Sequence, residues 1–397
     1  MLRNFVLPLT ALSGALLSLG IAAGQPSKFT YTQLDYPGAK STSASGINSR
    51  GDIVGIYIDQ ASKSHGFLFS RGNFTTIDFP GALGSQALGV NSQGDIVGAY
   101  GSNLNIGQAG GDIHGFLLRA GSSIPEQVNY PGHLNTITQR INDSGQIFGC
   151  YHDHDTMASM HGIMVSNGAY SALDGSQSGV DMPTSMSNGA TPDGSVIAGL
   201  FTDMMTNQGH GFVLTGGVFT PFDVPGSTGT SAWDINSSGQ VVGQYADTAG
   251  KGHGFLLTNG QFFSIDYPGA TATRARGVNS QGDVVGFFSA ADGSTHAFIL
   301  SGPPIVAIAG GPRLVVDRRH IFLDGSVSTS LSGSTPLTYH WESYNNQATV
   351  LALDTATPEI ILGPQEMDFV FVLTVTDSKG NSATGSITVF LTDPNQF

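Results

Sequence analysis

The chain has 397 residues, long enough for two domains. Only 11% of them are charged while 55 are glycine, which argues against long amphipathic surface helices and favours an all-β fold rich in tight turns. A formal charge of −14 excludes a basic footprint for nucleic acid or anionic lipid.

Residues 1–24 differ from everything after them. Arg3 supplies a positive start, Phe5 to Leu19 is apolar without a charge, and Ala22-Ala23-Gly24 offers small residues for cleavage. That is the pattern of a secretory signal peptide, with an uncleaved anchor as the rival reading. Removal of this segment leaves no expected membrane insertion, and the mature protein is expected in the periplasm or outside the cell. The single Cys150 excludes an internal disulfide framework.

From residue 25 onward the chain repeats itself. GINSRGDIVG at 46–55 returns as GVNSQGDIVG at 89–98, RINDSGQIFG at 140–149, DINSSGQVVG at 234–243 and GVNSQGDVVG at 277–286, with a degenerate ATPDGSVIAG at 190–199. Each copy is followed by a His-led segment whose histidines are His65, His114, His161, His210, His253 and His296. After five of these comes another strand, as in FTTIDFPGA at 74–82. The unit therefore reads as four short strands, a to d. NSxG turns a into b, Asn167-Gly168, Gly216-Gly217 and Asn259-Gly260 are primed hairpin turns from c to d, and Pro-Gly closes d.

Four strands at this spacing predict a blade. Residues 25–302 are expected to form a six-bladed β-propeller. Only five d strands follow a c strand, so FTYTQLDYP at 29–37 is the sixth. It should pair with strand c of the last blade, around His296 to Leu300, and close the ring.

The HAF at 296–298, its HGF variants at 65, 114, 210 and 253, and the recurring NSxGDIVG resemble the HAF-repeat proteins, a bacterial family of extracellular repeats. The resemblance implies secretion and a propeller-like repeat fold, and it brings no catalytic residues with it. At Pro303-Pro304 the repeat stops, because proline lacks the N–H that a strand d needs. Residues 303–397 alternate Val, Leu and Phe around Trp341 and are expected to form an immunoglobulin-like β-sandwich. LDGSVS at 323–328, LTYHWE at 337–342 and FVLTVTDSKGNSATGSITVFL at 371–391 resemble the PKD domain. By that resemblance Trp341 is the core aromatic, Asp377-Ser378-Lys379-Gly380 a hairpin turn, and the module a spacer or an adhesion unit without catalysis.

Functional candidates lie where the repeats disagree. NLNIGQAGGDI at 103–113 lengthens one connection, and DGSQSGVDMPTSMSNG at 174–189 lengthens another. In an up-and-down blade the b-to-c and d-to-a connections share a face, so the long ones of blades 2 to 4 should form one rim. His152, Asp153, His154, Asp155, Asp181 and Asp203 are its candidate ligand contacts. Seven of the eight methionines beyond Met1 lie between 157 and 205. His152 and His154 with Met157 therefore make a candidate copper or zinc site. The opposing reading is a polar turn beside gap-filling methionines. Asp59, Asp153, Asp203 and Asp247 recur after strand b and could ring a face for Ca²⁺ or sugar hydroxyls, or simply cap turns. The six in-phase histidines are expected to bond within their own blades, since positions spread around a ring cannot converge on one ion.

No G-x-S-x-G, P-loop or H-E-x-x-H is present. The reading reached from sequence is a secreted, non-catalytic binding or adhesion protein whose partner is an extracellular carbohydrate or protein, with no cofactor required. The alternatives are a propeller enzyme acting on extracellular polysaccharide and a metal-binding extracellular protein.

Overall fold

The computed structural model describes residues 30–104, 112–133, 135–152, 160–173, 184–203, 205–258, 260–301, 305–306, 309, 313–316, 320–330, 335–344, 348–363, 368–378, 380 and 382–392. Every regular element among them is a strand.

Six four-stranded antiparallel sheets follow one another from Ser41 to Ser301, and each runs a-b-c-d. In blade 1 the strands are Ser41–Ile47, Ile53–Ile58, Ser64–Ser70 and Asn73–Ile77. The last blade takes its fourth strand from the other end of the chain. Thr30–Leu34 pairs antiparallel with Thr295–Ser301, from Thr30 opposite Ser301 to Leu34 opposite Ala297. The fold is thus a six-bladed propeller closed by its N-terminal strand. Thr30–Leu34 takes the outer-strand place of the last blade and so ties the two ends of the ring together.

The repeated phrase is accounted for residue by residue. Its Asn begins the a-to-b turn: Asn48 Oδ1 accepts the N–H groups of Arg50 and Asp52 at 2.9 and 3.0 Å. The Asn48 amide then donates to the carbonyl of Asn91 in the next blade at 2.9 Å. Asn236 and Asn279 repeat that step at 2.9 Å. The Gly of IVG lies opposite the Phe of HGF, Gly55 against Phe67, and a Cβ there would lie 2.7 Å from the ring. Phe67, Phe116, Phe212, Phe255 and Phe298 are accordingly among the largest fully buried side chains. Truncating any of them to alanine would cost about 3–5 kcal/mol.

The aromatic residue of the Pro-Gly turn packs forward, onto strand b of the following blade. Tyr36 stacks on Tyr57 with centroids 3.7 Å apart, Phe79 on Tyr100 at 3.6 Å, and Tyr267 on Phe288 at 3.7 Å. The turn itself has Gly38 at φ 76°, a conformation glycine adopts without strain, and Ala39 N–H donates to Tyr36 O across 3.1 Å. The c-to-d hairpins have both central residues at positive φ, as in Asn167 (50°) and Gly168 (78°). Asn259 lies outside the described residues. Arg71-Gly72 does the same at 51° and 81°, a turn the sequence did not advertise.

The second unit holds two main sheets. One orders Arg313–Val316, Ser382–Thr392, Asp368–Thr376 and Thr338–Ser343, the first pair parallel; the other orders His320–Phe322, Glu359–Leu362 and Ala348–Leu351. Trp341, 1% exposed, sits in the core with Phe369, Phe371, Leu373 and Ile387, and its indole donates to Thr355 O at 3.1 Å. Gly380 at φ 83° closes the hairpin back to Asp377.

Candidate functional site on the propeller axis

Four of the six in-phase histidines bond within their own blades, while His114 Nδ1 has no hydrogen-bond partner among the described residues although Asn129 stands at the equivalent position. His65 Nδ1 donates to Asp78 at 2.8 Å, His210 to Asp223 at 2.8 Å and His253 to Asp266 at 2.7 Å. His296 finds Asp35, on the closing segment, at 2.9 Å. Each imidazole also packs on the strand-b ring beside it, as His65 does on Tyr57 at 4.8 Å. The Asp residues after strand b cap turns: Asp59 accepts Lys63 N–H at 2.8 Å, Asp203 accepts Met205 N–H at 2.7 Å, and Asp247 accepts Lys251 N–H at 2.8 Å. These hydrogen bonds hold all three carboxyls below the usual range.

Of the sequence-derived rim, Asp153, His154, Asp155, Met157 and Asp181 lie outside the described residues. Asp203 is the turn cap just described. His152 ends strand b of blade 3 and is 2% exposed, so it points inward rather than at the rim. Its Nε2 lies 3.5 Å from Cys150 Sγ, and Met160 stands opposite it on strand c. Burial pushes the Cys150 thiol up to about 12, which keeps it protonated and unsuited to bind a cation. Among the described residues no three His, Cys, Asp or Glu side chains come together as metal ligands.

A different constellation lies on the axis, built by the innermost strands. Every strand a carries a β-bulge at one register, such as Ala44/Gly46, Thr138/Arg140 and Ala232/Asp234. A bulge leaves one residue unpaired and re-aims its backbone. The carbonyls of the bulged residues Ser45, Leu88, Trp233 and Arg276, from blades 1, 2, 5 and 6, converge on the Arg140 guanidinium at 3.1, 3.0, 3.3 and 2.8 Å. The residue after the bulge is Gly46, Gly89, Gly189 and Gly277 in four blades, but Arg140 in blade 3 and Asp234 in blade 5. The glycines leave the space this requires. A Cβ on Gly46 would sit 2.6 Å from Arg140 Nη1, and one on Gly189 2.7 Å from Asp234 Oδ1.

Arg140 Nε lies 3.3 Å from Asp234 Oδ1, and both side chains are buried. The contact is Coulombic rather than a formed hydrogen bond, since Nε has no hydrogen-bond partner among the described residues. Asp234 Oδ2 accepts Val278 N–H at 3.1 Å. Burial raises the Asp234 carboxyl to about 6 even though Arg140 opposes the shift. Beyond this plug, toward the a-to-b turns, Asn48, Asn91, Asn142, Asn236 and Asn279 line a recess of about 110 Å³.

On the other side of the plug the axis is cationic. Arg276 lies flat over Trp233, its Cζ 3.4 Å from the ring centroid, and both Arg276 and Arg274 approach Phe287 at 5.3 and 5.5 Å. Burial, with Arg274 and Arg140 close by, pulls Arg276 down to about 9. Among the described residues Arg276 Nη1, Trp233 Nε1 and Gln244 Oε1 are buried without a hydrogen-bond partner. Reading by motif passed over all of these residues. The available signal was one position wide: Arg140 and Asp234 stand where the other phrases carry glycine.

A second concavity, about 440 Å³, is on the sandwich and is lined by Tyr339, His340, Asp354, Thr374 and Thr376. It is an open groove whose polar groups serve one another, His340 Nδ1 donating to Asp354 at 2.6 Å. The axial cluster, with unpartnered groups, is the better candidate.

Residues 309–391 match a family model of the PKD domain. None of the curated proteins is similar in sequence to the chain. Among solved structures, a nucleoside hydrolase-related hypothetical protein from Saccharophagus degradans is 16% identical over 22% of this chain, with a TM-score of 0.20. The chain spans 25% of that protein's length. A putative TolB from Agrobacterium tumefaciens is 13% identical, with a TM-score of 0.44 over 66% of this chain and 90% of its own. The six-bladed, fucose-recognising lectin of Aleuria aurantia is 13% identical, with a TM-score of 0.41 over 68% of this chain and 93% of its own. The chain is a propeller followed by a PKD domain. Among its described residues no helix is long and apolar enough to cross a membrane.

Proposed function

We propose that the protein is an exported binding or adhesion protein of the HAF-repeat type. Residues 1–24 direct export and are removed, the propeller of residues 25–302 carries the ligand surface, and the module of residues 303–397 spaces or docks it. The partner is an extracellular carbohydrate or protein. One observation supports this reading: described residues that flank two of the lengthened connections lie at one edge of the ring. Cross-strand register puts His152 and Met160, which flank a lengthened b-to-c connection, beside Asn135 at the start of strand a. Leu104, at another such connection, accepts Ser64 N–H at 2.7 Å and lies beside Gly84, where strand a of blade 2 begins. Strand a of blade 6 starts at the same edge, so Arg274 stands nearer to it than the asparagine recess does. The ends of these connections and the axial cations thus share an approach.

The test is retention of residues 25–397 on immobilised extracellular polysaccharides and proteins, with the supernatant assayed for released sugar. Saturable retention without release is the expected result. Release of reducing ends would replace this reading with the polysaccharide-acting enzyme.

A further inference from the structure

We propose that the axial mouth of the propeller binds a sugar acid, with the ligand's carboxylate held by Arg276 and Arg274 and by Trp233 Nε1, and one of its hydroxyls donating to Gln244 Oε1. This goes beyond the loop surface above, because none of these residues belongs to a lengthened connection.

Charge balance comes first. The protein has 15 Lys and Arg against 29 Asp and Glu, yet two arginines stand two residues apart on the innermost strand of blade 6. At the Arg274 position the other blades carry Ser43, Gln86, Ile137, Met186 and Ser231. At the Arg276 position they carry Ser45, Leu88, Gln139, Asn188 and Trp233. Both arginines are therefore departures from a neutral ring. The third axial cation, Arg140, has Asp234 at 3.3 Å and four carbonyls. Arg276 has Trp233 beneath it and no carboxylate among the described ion pairs, and the same holds for Arg274. Arg276 is half-buried with its Nη1 enclosed, and the charges that act on it, Arg274 and Arg140, are of its own sign, which is costly.

The orphaned atoms define what would relieve that cost. Arg276 Nη1 and Trp233 Nε1 are two buried donors without partners among the described residues, and Gln244 Oε1 is a buried acceptor in the same state. The guanidinium lies over the indole and its Nη1 has no acceptor among the described residues. That geometry suits a planar carboxylate, which accepts two parallel N–H groups. Gln244 Oε1 requires a donor, which a bare carboxylate such as acetate does not have and a sugar hydroxyl supplies. Ile137, Met186 and Trp233 form an apolar side that suits the C–H face of a sugar ring. Most residues at this level, Ser43, Gln86, Ile137, Ser231 and Arg274, are half-buried rather than closed off.

The chain has two tryptophans, Trp233 and Trp341, so intrinsic fluorescence of the full mature chain carrying Trp341→Phe reads the site directly. D-glucuronate, D-glucose and sodium acetate are titrated at constant ionic strength. Glucuronate is expected to change the emission saturably, glucose not at all over the same range, and acetate at least tenfold more weakly than glucuronate. Arg276→Gln should weaken glucuronate at least tenfold. Gln244→Leu should bring glucuronate down to the level of acetate. Ligand-free Arg276→Gln should melt at or above the parent temperature, because an unbalanced charge has been removed, which separates lost binding from lost folding. Should that variant fail to fold, Gln244→Leu still decides. No response to glucuronate, an equal response to glucose, or an unchanged response in both variants overturns the site. Equal responses to acetate and glucuronate overturn the hydroxyl contact and with it the sugar acid.

Discussion

His296 Nδ1 donates a hydrogen bond to Asp35 Oδ2 across 2.9 Å although 261 residues separate the two. Inside blades 1, 4 and 5 the same pair is 13 residues apart, as in His253 and Asp266. The closing strand therefore supplies the missing partner as well as the missing ladder. A double-mutant cycle of Asp35→Ala and His296→Ala should give a coupling of about 0.5–1 kcal/mol, small because both groups are partly exposed. The cycle of Asp266→Ala and His253→Ala should match it. Coupling in the second pair but none in the first would mean that the ring does not close in solution.

The axial plug makes a sharper stability claim. Replacing Arg140 with Met leaves Asp234 buried without its counter-charge and the bulge carbonyls without their donor, and should cost about 3–5 kcal/mol in urea unfolding. Adding Asp234→Asn to that variant should recover a measurable part of the loss. A double variant no more stable than Arg140→Met alone would show that the two groups are not coupled.

Asp234 also predicts a pH signature. Its folded pKa of about 6 lies above the ordinary 3.8, so between these values the folded state binds a proton that the unfolded chain has released. Stability from this group is therefore present below about pH 4 and falls as pH rises to about 6. Unfolding free energies of the wild type minus those of Asp234→Asn should decline over that window and be flat above it. A difference that rises with pH would reverse the assignment. The turn-capping Asp59, Asp203 and Asp247 have depressed values, act in the opposite sense at lower pH, and cancel in the comparison.

Glycine positions test the blade packing. Gly98→Ala would place a Cβ 1.9 Å from Gln86 O and 2.7 Å from the Phe116 ring, and should cost about 2–3 kcal/mol. Gly209→Ala meets nothing closer than 3.7 Å and should stay within about 0.5 kcal/mol of wild type. Thermal melts of the two variants suffice, and equal losses would argue against the ring seated on Gly98.

The blades were legible because what specifies them is local and repeated six times. Asn48 caps its own turn, Gly55 receives the Phe67 opposite it, and Pro37-Gly38 closes its own strand, so phrase and structure coincide. Ring closure was legible by counting strands. The axis was not, because it is made of single departures that meet only after the ring forms. Arg140 and Asp234 are 94 positions apart in sequence and 3.3 Å apart in space. Arg276 and Trp233 likewise touch across two blades. His152 misled for the opposite reason: beside His154 and two aspartates it reads as an exposed polar turn, yet strand pairing with Asn135 and Met160 carries it into the interior. Local polarity does not report which residue of an extended segment is its last paired one.

Repeat genes gain and lose copies easily, and a ring of near-identical blades has little in its blade-to-blade contacts to fix their number. Arg140 provides what those contacts do not. Its single planar head meets carbonyls from blades 1, 2, 5 and 6 at once, and so is fitted to the spacing of this six-bladed ring. A seventh copy would draw those oxygens apart and the loss of one would crowd them, so one side chain works as a gauge of copy number for the whole propeller.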